Sequence, residues 1–345
     1  MVRPGPGCAV WEITLKCNLN CMHCGSAAGK ARSDELTTDE ALQLCDDLKG
    51  IGCQGVAMMG GEPLLRKDWP SIAERVREVG MDLSIITNGY KITESKFQRI
   101  LDVNPELVTV SIDGGHAAIH DKIRGVPGSF KEVVATLRRF VKSGLPTGVI
   151  TTVHKMNLGE LTTIRKLLLG TGVAWQIQMA TPYGRLTYDH VLSKEEYYSL
   201  ALFIAATRKK YSKKELMIAG AHDMGYFSRV LPPLQVYPWQ GCQAGISTLG
   251  IESNGNILGC LALPPEYVEG NIRERPLKEI WNDSAFSSYT RRVRRTDLGS
   301  ECASCTYSKI CKGGCSAVSH SMAGGLHRDP YCLRLIEAEL KKSNG

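Results

Sequence analysis

Short apolar segments alternate with longer amphipathic segments through the first half of the chain. Six short segments have the length and composition of buried strands, and they cover residues 9–15, 55–59, 83–87, 107–112, 148–153 and 174–179. Five segments with apolar residues at helical spacing lie between them, near residues 39–49, 69–79, 93–102, 129–142 and 159–169. This alternation predicts right-handed βαβ units and a parallel sheet.

Two predicted helices begin with a capping box, in which Ser or Thr is followed three residues later by Glu. Thr37 and Glu40 mark the start of the first helix, which is expected to end at Gly50. Ser193 and Glu196 mark the start of a later helix that runs towards residue 210. The strand–helix alternation itself is expected to break shortly before that helix, at residues 182–185.

The length and composition are those of a sizeable globular protein. The chain has 345 residues, 43% hydrophobic and 22% charged, which is enough for two domains or for one barrel with an appendage. Thirteen cysteines are too few for a disulfide scaffold, and their number is odd. No apolar run approaches the ~18 residues of a membrane span, and the start lacks the apolar stretch of a signal peptide. We therefore expect a soluble, cytoplasmic protein with reduced thiols.

The cysteines form two groups, separated by 188 residues that contain none. Closely spaced, reduced cysteines usually bind a metal or take part in redox chemistry. In the first group, Cys17, Cys21 and Cys24 place three thiolates within eight residues, with no fourth cysteine close in sequence. This loop predicts either a [4Fe–4S] cluster with one iron open to an external ligand, or a zinc site completed by His23.

The motif CxxxCxxC, with the ring of His23 directly before its last cysteine, resembles the signature of the radical S-adenosylmethionine (SAM) superfamily. The resemblance implies that Cys17, Cys21 and Cys24 are catalytic residues that bind a [4Fe–4S] cluster. In this family the iron without a protein ligand chelates the amino and carboxylate groups of SAM. An electron from the cluster then cleaves the sulfonium and yields a 5'-deoxyadenosyl radical.

Further motifs follow the predicted strands, as expected for the carboxyl-end rim of a barrel. Residues 60–63 match the family's GGEP segment, which binds the SAM amino group, and two adjacent glycines leave room for a ligand to approach the main chain. By resemblance, the SAM-binding residues are His23, Gly60, Gly61, Glu62, Pro63, Asn88, Ser111, Asp113 and Arg124. Arg124 either pairs with the SAM carboxylate through its planar fork or is a surface residue at a helix entry.

The second group of cysteines resembles, in number, order and spacing, the seven-cysteine SPASM extension of some radical SAM enzymes. The resemblance implies two auxiliary [4Fe–4S] clusters, hence three clusters in all. The proximal cluster would take Cys242, Cys260 and Cys315, and the distal cluster Cys302, Cys305, Cys311 and Cys332. The fourth position of the proximal cluster is then open to substrate or filled by a residue other than cysteine. A pair of zinc ribbons is the alternative.

Together these resemblances imply an α/β fold, with a partial (β/α)6 TIM-like barrel followed by a small cysteine-rich α+β SPASM domain. The expected divisions are residues 1–215 for the barrel, 216–240 for a bridging segment and 241–345 for the auxiliary-cluster domain. Of the three remaining cysteines, Cys45 and Cys53 are expected in the core. Cys8 has no assigned role.

The net charge of the chain bears on whether it binds nucleic acid. A formal net charge of +7, with basic groups at 209–214 and 291–295, makes nucleic acid one conceivable partner. Ten thiolate ligands and three oxidised cubane cores would lower that charge to about +3. The basic excess then largely offsets the clusters themselves, so we do not expect a nucleic-acid substrate or a membrane.

The region after the sixth predicted strand should contribute substrate contacts, because it passes over the barrel mouth. The candidate contacts are Gln178, Tyr183, Arg185, His222 and Asp223, each with the alternative of a surface or helix-capping role. A base that accepts a proton during substrate oxidation is expected in this region, but the sequence selects no particular side chain.

The resemblance implies abstraction of hydrogen from an unactivated C–H group, followed by electron transfer to the proximal auxiliary cluster. The favoured substrate is a ribosomally made peptide that is crosslinked, oxidised or epimerised. Only 16 residues precede Cys17, so we expect any leader peptide to need a separate binding protein or another surface. The alternative is a sugar, an aminocyclitol or a tetrapyrrole side chain. The expected electron donor is a flavodoxin- or ferredoxin-type reductant.

A third, non-catalytic interpretation makes the chain an iron–sulfur electron carrier or a zinc scaffold. It gives no reason for the GGEP segment behind the three-cysteine loop.

Overall fold

A computed structural model describes residues 4–343, whose strands form one ten-stranded sheet. The strands are β1 (Cys8–Glu12), β2 (Gly55–Met59), β3 (Asp82–Thr87), β4 (Leu107–Ser111), β5 (Thr147–Val153), β6 (Ala174–Met179), β7 (Met217–Gly220), β8 (Thr248–Ile251), β9 (Asn256–Leu258) and β10 (Val268–Asn271). Strands β1 to β7 are successive parallel neighbours. The six predicted strands and their parallel sheet are therefore confirmed.

Helices cover the outer side of this sheet and build most of the C-terminal part. They are α1 (Thr38–Gly50), α2 (Trp69–Glu78), α3 (Glu94–Val103), α4 (Ala117–Arg124), α5 (Ser129–Ser143), α6 (Leu161–Leu168), α7 (Lys194–Lys210), α8 (Leu277–Asn282), α9 (Ser288–Arg291), α10 (Ser300–Ala303), α11 (Ser308–Cys311), α12 (Ser316–Ala323) and α13 (Leu333–Ser343). Both predicted capping boxes are present, at the start of α1 and of α7. None of the described helices is long and apolar enough to cross a membrane.

Four element predictions need correction. The first strand ends at Glu12 and not at residue 15, because the Thr14 hydroxyl and the Leu15 amide bind the Glu35 carboxylate and draw the chain away from the sheet. The helix predicted at 159–169 starts as a 3-10 turn at Leu158–Glu160 before α6 begins. Helix α4 was not predicted, because its eight residues are too few to display a clear period.

The fourth correction concerns β7, which the sequence analysis had included in the bridging segment. Only four residues long, it nevertheless extends the parallel sheet beside β6, with Trp175 paired to Ile218. The same sheet also grows at its other side, because β8 lies parallel to β1. A seventh parallel strand thus follows the six predicted ones, and the partial barrel is wider than expected.

The hydrophobic core lies between the strands and the helices. Alternate strand residues such as Trp11, Met58 and Ile85 are fully buried in one cluster with helix residues such as Leu44 and Ile72. Because successive side chains of a strand point to opposite faces, the residues between these point to the face of the sheet that the helices do not cover. The sheet is open: among the described strands its edges are β7 and β10. This partial barrel brings the loops that follow β1 to β6 to one rim.

The C-terminal part joins the barrel through the sheet itself. Strand β8 pairs with β1 over Cys8–Trp11, and β9 and β10 continue antiparallel from it. Because β1 leads into the loop of Cys17, and β8 lies between Cys242 and Cys260 in the chain, this pairing joins the segments beside the two cysteine groups in one sheet. The expected fold, a partial barrel followed by a small cysteine-rich domain, is therefore observed.

Candidate functional site

The first cysteine loop lies at the carboxyl end of β1, near the middle of the sheet. Cys21 is buried, while Cys17 and Cys24 are half-buried. Burial, together with the charges of the other two thiols, raises the pKa of Cys17 to about 11. The Cys24 amide donates to the Cys21 carbonyl oxygen at 3.3 Å, so these two cysteines share one tight turn. Binding of a metal would favour the deprotonated forms of the thiols.

The two glycines after β2 let this loop and the cysteine loop lie main chain against main chain. A Cβ atom on Gly60 would be 2.3 Å from the Thr14 carbonyl oxygen, and one on Gly61 would be 2.5 Å from that of Lys16. The two loops are joined by main-chain hydrogen bonds of 2.8 Å, from Gly61 N to Thr14 O and from Glu62 N to Lys16 O. Only glycine allows this approach.

Glu62 joins the loops that follow β2 and β3. Its buried carboxylate accepts hydrogen bonds from the Thr87 hydroxyl and from the Asn88 amide, both at 2.8 Å. Burial raises the pKa of Glu62, whereas these hydrogen bonds act in the opposite direction. Pro63 then opens a 3-10 turn. Because these hydrogen bonds cross from one loop to the next, Glu62 fixes this part of the rim.

Asn88 extends from the third loop to the cysteine loop. Its side-chain amide lies 3.8 Å from Cys17 Sγ and donates to Asn18 Oδ1 at 2.8 Å. The predicted position after β3 is therefore beside the thiols.

Asp113, which follows β4, is the centre of a buried charged group. Its Oδ2 atom is 2.6 Å from Arg124 Nη2 and 3.4 Å from His23 Nε2, and Oδ1 accepts from the Thr152 amide at 2.9 Å. Burial alone would raise the pKa of Asp113, but the charge of Arg124 holds it below its usual value. Ser111, the last residue of β4, is half-buried. The fourth loop is thus tied to the cysteine loop through His23.

Arg124 is the last residue of α4 and is buried, so the alternative of a surface arginine is wrong. Its Nη1 atom lies 3.6 Å from Cys21 Sγ. The main chain of the same helix end accepts hydrogen bonds from Asn20 N and Met22 N. The carboxyl end of α4 is therefore hydrogen-bonded to the main chain of the cysteine loop.

Sequence reasoning missed His154, which directly follows β5. Its ring is fully buried and its centroid is 5.6 Å from that of His23. Within residues 4–343, three buried nitrogen atoms here have no hydrogen-bond partner: His154 Nε2, His23 Nδ1 and Arg124 Nε. Burial lowers the pKa of His23 to about 4, so its ring is neutral. Unpaired polar atoms beside three thiols fit a polar cofactor, because such atoms are costly to bury alone.

The four predicted distal thiols line one cavity of about 330 Å³. Phe227 and Tyr307 stack at 4.1 Å between ring centroids and contribute to the same wall. Burial and neighbouring thiols raise the pKa of Cys302 to about 11, and burial raises that of Cys311 to about 12. A cavity that four thiols share is a suitable enclosure for a cluster.

The three predicted proximal thiols also form one group. Burial and the charge of Cys242 raise the pKa of Cys260 to about 11. The pKa of the fully buried Cys315 is raised well above its ordinary value by burial and by Cys242 and Cys260.

All thirteen cysteines are free. Cys45 and Cys53 are buried in the core, as predicted, and Cys8 is half-buried in β1.

The five candidate substrate contacts differ in burial and in hydrogen-bond partners. Gln178 is half-buried at the end of β6 and donates to Thr152 Oγ1 at 2.9 Å. His222 is exposed, whereas Asp223 is buried and accepts from the Met179 amide at 2.7 Å. Tyr183 and Arg185 both lie against the cysteine loop. Asp223 therefore has a role within the fold, and Gln178 remains at the strand rim.

Comparisons with known proteins agree with this site. Residues 11–168 match the model of the radical SAM superfamily, and residues 242–306 match the SPASM model, an iron–sulfur cluster-binding domain. An AdoMet-dependent heme synthase of Methanosarcina barkeri is 32% identical, over 95% of this chain and 96% of that protein. The mycofactocin maturase MftC of Mycolicibacterium smegmatis is 27% identical, over 95% and 83%.

A solved structure has the same fold. The crystal structure of SuiB from Streptococcus suis, bound to S-adenosylmethionine, gives a TM-score of 0.75 and covers 96% of this chain and 76% of that one, at 19% identity. This chain thus belongs to the radical SAM superfamily and carries a C-terminal SPASM domain, which makes it an enzyme that uses SAM and iron–sulfur clusters.

Proposed function

We propose that this protein is a radical SAM oxidoreductase that oxidises a side chain of a tetrapyrrole. The observation that carries the proposal is the match to an AdoMet-dependent heme synthase, which spans 95% of this chain and 96% of that protein. A match over almost the full length of both chains includes the barrel, the bridging segment and the auxiliary-cluster domain. It therefore supports a common substrate class, as well as a common fold.

We propose three [4Fe–4S] clusters, held by the three sets of cysteines named from the sequence. The turn in which the Cys24 amide donates to the Cys21 carbonyl oxygen at 3.3 Å and the shared cavity of the distal set support these assignments. When bound, the clusters and SAM supply an electron and a 5'-deoxyadenosyl radical that takes hydrogen from substrate, and an auxiliary cluster accepts the electron that is left. Residues 1–215, 216–240 and 241–345 remain our proposed divisions.

We propose two roles for the rim residues: some fix the loops around SAM, and others bind SAM directly. Glu62 and Asp113 have partners within the protein, so we assign them to fixing the loops around the cofactor. The unpaired nitrogens of His23, Arg124 and His154 are the groups free to bind its polar atoms. Gly60, Gly61, Pro63, Asn88 and Ser111 complete the proposed site. Arg124 would thus contact SAM while its Nη2 atom holds Asp113.

A ribosomally made peptide is the second candidate, and the similarity to the mycofactocin maturase MftC favours it. That relative is less similar than the heme synthase, and a smaller part of it is matched. For either substrate we propose a flavodoxin- or ferredoxin-type reductant, and a cytoplasmic environment in which the ten ligand thiols stay reduced. A separate leader-binding protein belongs to the peptide candidate alone.

Deuterium transfer distinguishes the two candidates. The reduced, cluster-loaded protein is incubated with SAM and either an iron porphyrin deuterated in its propionate side chains or a deuterated candidate peptide. We expect deuterium in 5'-deoxyadenosine from the porphyrin, because the abstracted atom becomes part of that product. Transfer from the peptide alone would reject the tetrapyrrole. A loaded protein that forms no 5'-deoxyadenosine at all would reject the enzyme.

A further inference from the structure

The segment Pro182–Arg185, which follows β6, lies across the first cysteine loop; we name it the strap. It comes from the far side of the parallel sheet, yet the Arg185 amide donates to the Cys24 carbonyl oxygen at 3.1 Å. Tyr183 and Arg185 are candidate substrate contacts by their position in the sequence. Their observed partners are instead main-chain atoms of the cysteine loop and of the auxiliary-cluster domain.

Arg185 makes the main contact of the strap. Its Nε atom donates to the Cys21 carbonyl oxygen at 2.8 Å, and Nη1 donates to that of Ala28 at 2.9 Å. The planar guanidinium can reach both oxygens at once because its donors have a fixed geometry. With the amide bond to Cys24, three donors of one residue hold the carbonyl groups of two cluster cysteines and of the loop end.

Gly184 makes this approach possible. It has a φ of +64°, and a Cβ atom there would be 2.2 Å from the Gly25 carbonyl oxygen and 2.3 Å from that of Cys24. No other residue fits between the strap and the loop without displacement of one main chain.

Tyr183 connects the strap to the loop that carries Cys260. Its hydroxyl is 3.5 Å from the Leu263 carbonyl oxygen, and Leu263 N in turn donates to the carbonyl oxygen of Cys260, a proximal-cluster cysteine. On the opposite side, its Cδ1 atom is 3.4 Å from the position of a Cβ on Gly25. The strap therefore touches the loops of two cluster sites.

We propose that Arg185 is a positioning residue for the SAM-binding cluster, which holds the loop of Cys21 and Cys24 and places a positive charge next to it. The inference uses the family membership of the chain and does not depend on the substrate. Hydrogen bonds and charge around a cluster set its reduction potential. A cation beside the loop favours the reduced, more negative cluster, so Arg185 raises the potential at which the cluster accepts its electron.

Two variants separate charge from geometry. Arg185→Lys keeps the charge but cannot donate to both carbonyl groups, and Arg185→Gln also removes the charge. The matched control is Arg208→Lys: Arg208 likewise donates to main-chain carbonyl oxygens, those of Ile218 and Pro233 at 2.7 Å and that of Gln235 at 3.5 Å, beside the edge strand β7. Each protein is loaded with clusters, and its cluster potentials are measured by redox titration with EPR detection. 5'-Deoxyadenosine formation is followed without substrate.

We expect a lower potential of the SAM-binding cluster in Arg185→Gln and a smaller change in Arg185→Lys. Both should alter the EPR signal of the SAM-bound cluster and slow 5'-deoxyadenosine formation about 10- to 100-fold, the usual range for second-sphere partners of a metal site. Arg208→Lys should keep the parent signal and rate, and the auxiliary clusters should be unchanged in all variants.

Parent values of potential, signal and rate in Arg185→Gln would overturn the assignment. So would an equal loss of SAM-binding and auxiliary clusters from Arg185→Lys, because the residue would then serve the fold as a whole. Neither outcome concerns the tetrapyrrole, since no substrate is present in this experiment.

Discussion

Single charged side chains determine how the rim loops meet. Glu62, Asp113 and Arg185 each join two or more loops that come from different strands. Their partners are largely main-chain amides and carbonyls, so the loops are fixed at the level of the backbone. A buried charged group with full hydrogen bonding is stable, whereas loss of one partner leaves an unpaired group at a cost of about 1–3 kcal/mol. The rim should therefore respond sharply to single substitutions.

Substitution of one predicted cluster ligand tests the first cysteine loop. We expect Cys24→Ala to form no 5'-deoxyadenosine above background, because the cluster would lose one of three thiolates. Cys45→Ala is the matched control: this thiol is buried in the core, and its loss should cost about 1 kcal/mol of stability but keep SAM cleavage. The measurement is 5'-deoxyadenosine by liquid chromatography after anaerobic reduction. Full activity of Cys24→Ala would contradict the assignment.

His120 gives the fold a pH dependence. Its Nδ1 atom accepts a hydrogen bond from the Asp113 amide at 3.2 Å, and burial lowers its pKa to about 4. The unfolded chain takes up this proton near pH 6.5, so the stability is present above that pH and is lost as the pH falls towards 4. Between pH 7.5 and 5.5 we expect a loss of about 1 kcal/mol from this residue.

Urea unfolding at the two pH values measures that loss. His120→Gln should lose less stability than the parent protein over the same interval, by about 1 kcal/mol. His116→Gln, in the same region but exposed, should behave as the parent does. Identical pH dependence in all three proteins would contradict the role of His120.

Helix boundaries are set by local signals in this protein. At the start of α7, Glu196 N donates to Ser193 Oγ at 3.2 Å, and Ser193 N donates to Glu196 Oε2 at 2.7 Å. Two main-chain donors that lie beyond the helical hydrogen-bond pattern are thereby satisfied. Such contacts involve neighbours in sequence, which explains why the capping residues could be read before the fold was known.

Removal of this cap should destabilise the protein without affecting its chemistry. We expect Ser193→Ala to lower the free energy of unfolding by about 1 kcal/mol. Ser199→Ala, within the same helix, removes a hydroxyl that only donates to the Glu195 carbonyl, so the change should stay within about 0.5 kcal/mol. Urea unfolding of the two variants makes the comparison. Equal losses of unfolding free energy in the two variants would contradict a stabilising role of the cap.

At the scale of the whole molecule, one sheet carries both cysteine regions. The pairing of β8 with β1 joins the C-terminal part to the strand that precedes the first cysteine loop. The strap makes a second connection between the two parts, through Tyr183 and Leu263. The loop of Cys260 therefore reaches the strap that contacts the loop of Cys24.

Loss of the proximal cluster should separate SAM cleavage from substrate oxidation. In Cys315→Ala we expect 5'-deoxyadenosine without oxidised product, because the radical still forms but its electron has no acceptor. Cys53→Ala, also buried but outside the proposed ligand sets, should keep both activities. Both products are quantified in one anaerobic assay with the substrate accepted by the parent protein. Equal loss of both activities from a folded Cys315→Ala protein would argue against an acceptor role.

Patterns between neighbouring residues were enough to predict most of the barrel's elements and the family. Six strands, both capping boxes and the two family motifs were legible because each depends on residues that are near one another in the chain. β7 and α4 were missed because four strand residues and eight helix residues carry too little periodic signal. His154 was missed because nothing in its local sequence distinguishes it from any residue that follows a strand.

Contacts between loops could be known only from the folded chain. The burial of Arg124 against Asp113, the contacts of Glu62 and the position of the strap join residues that are far apart in the chain. The pairing of β8 with β1 is of the same kind. Hydrogen-bonding groups satisfy one another wherever the folded chain brings them together, and periodicity along the sequence contains no record of such partners.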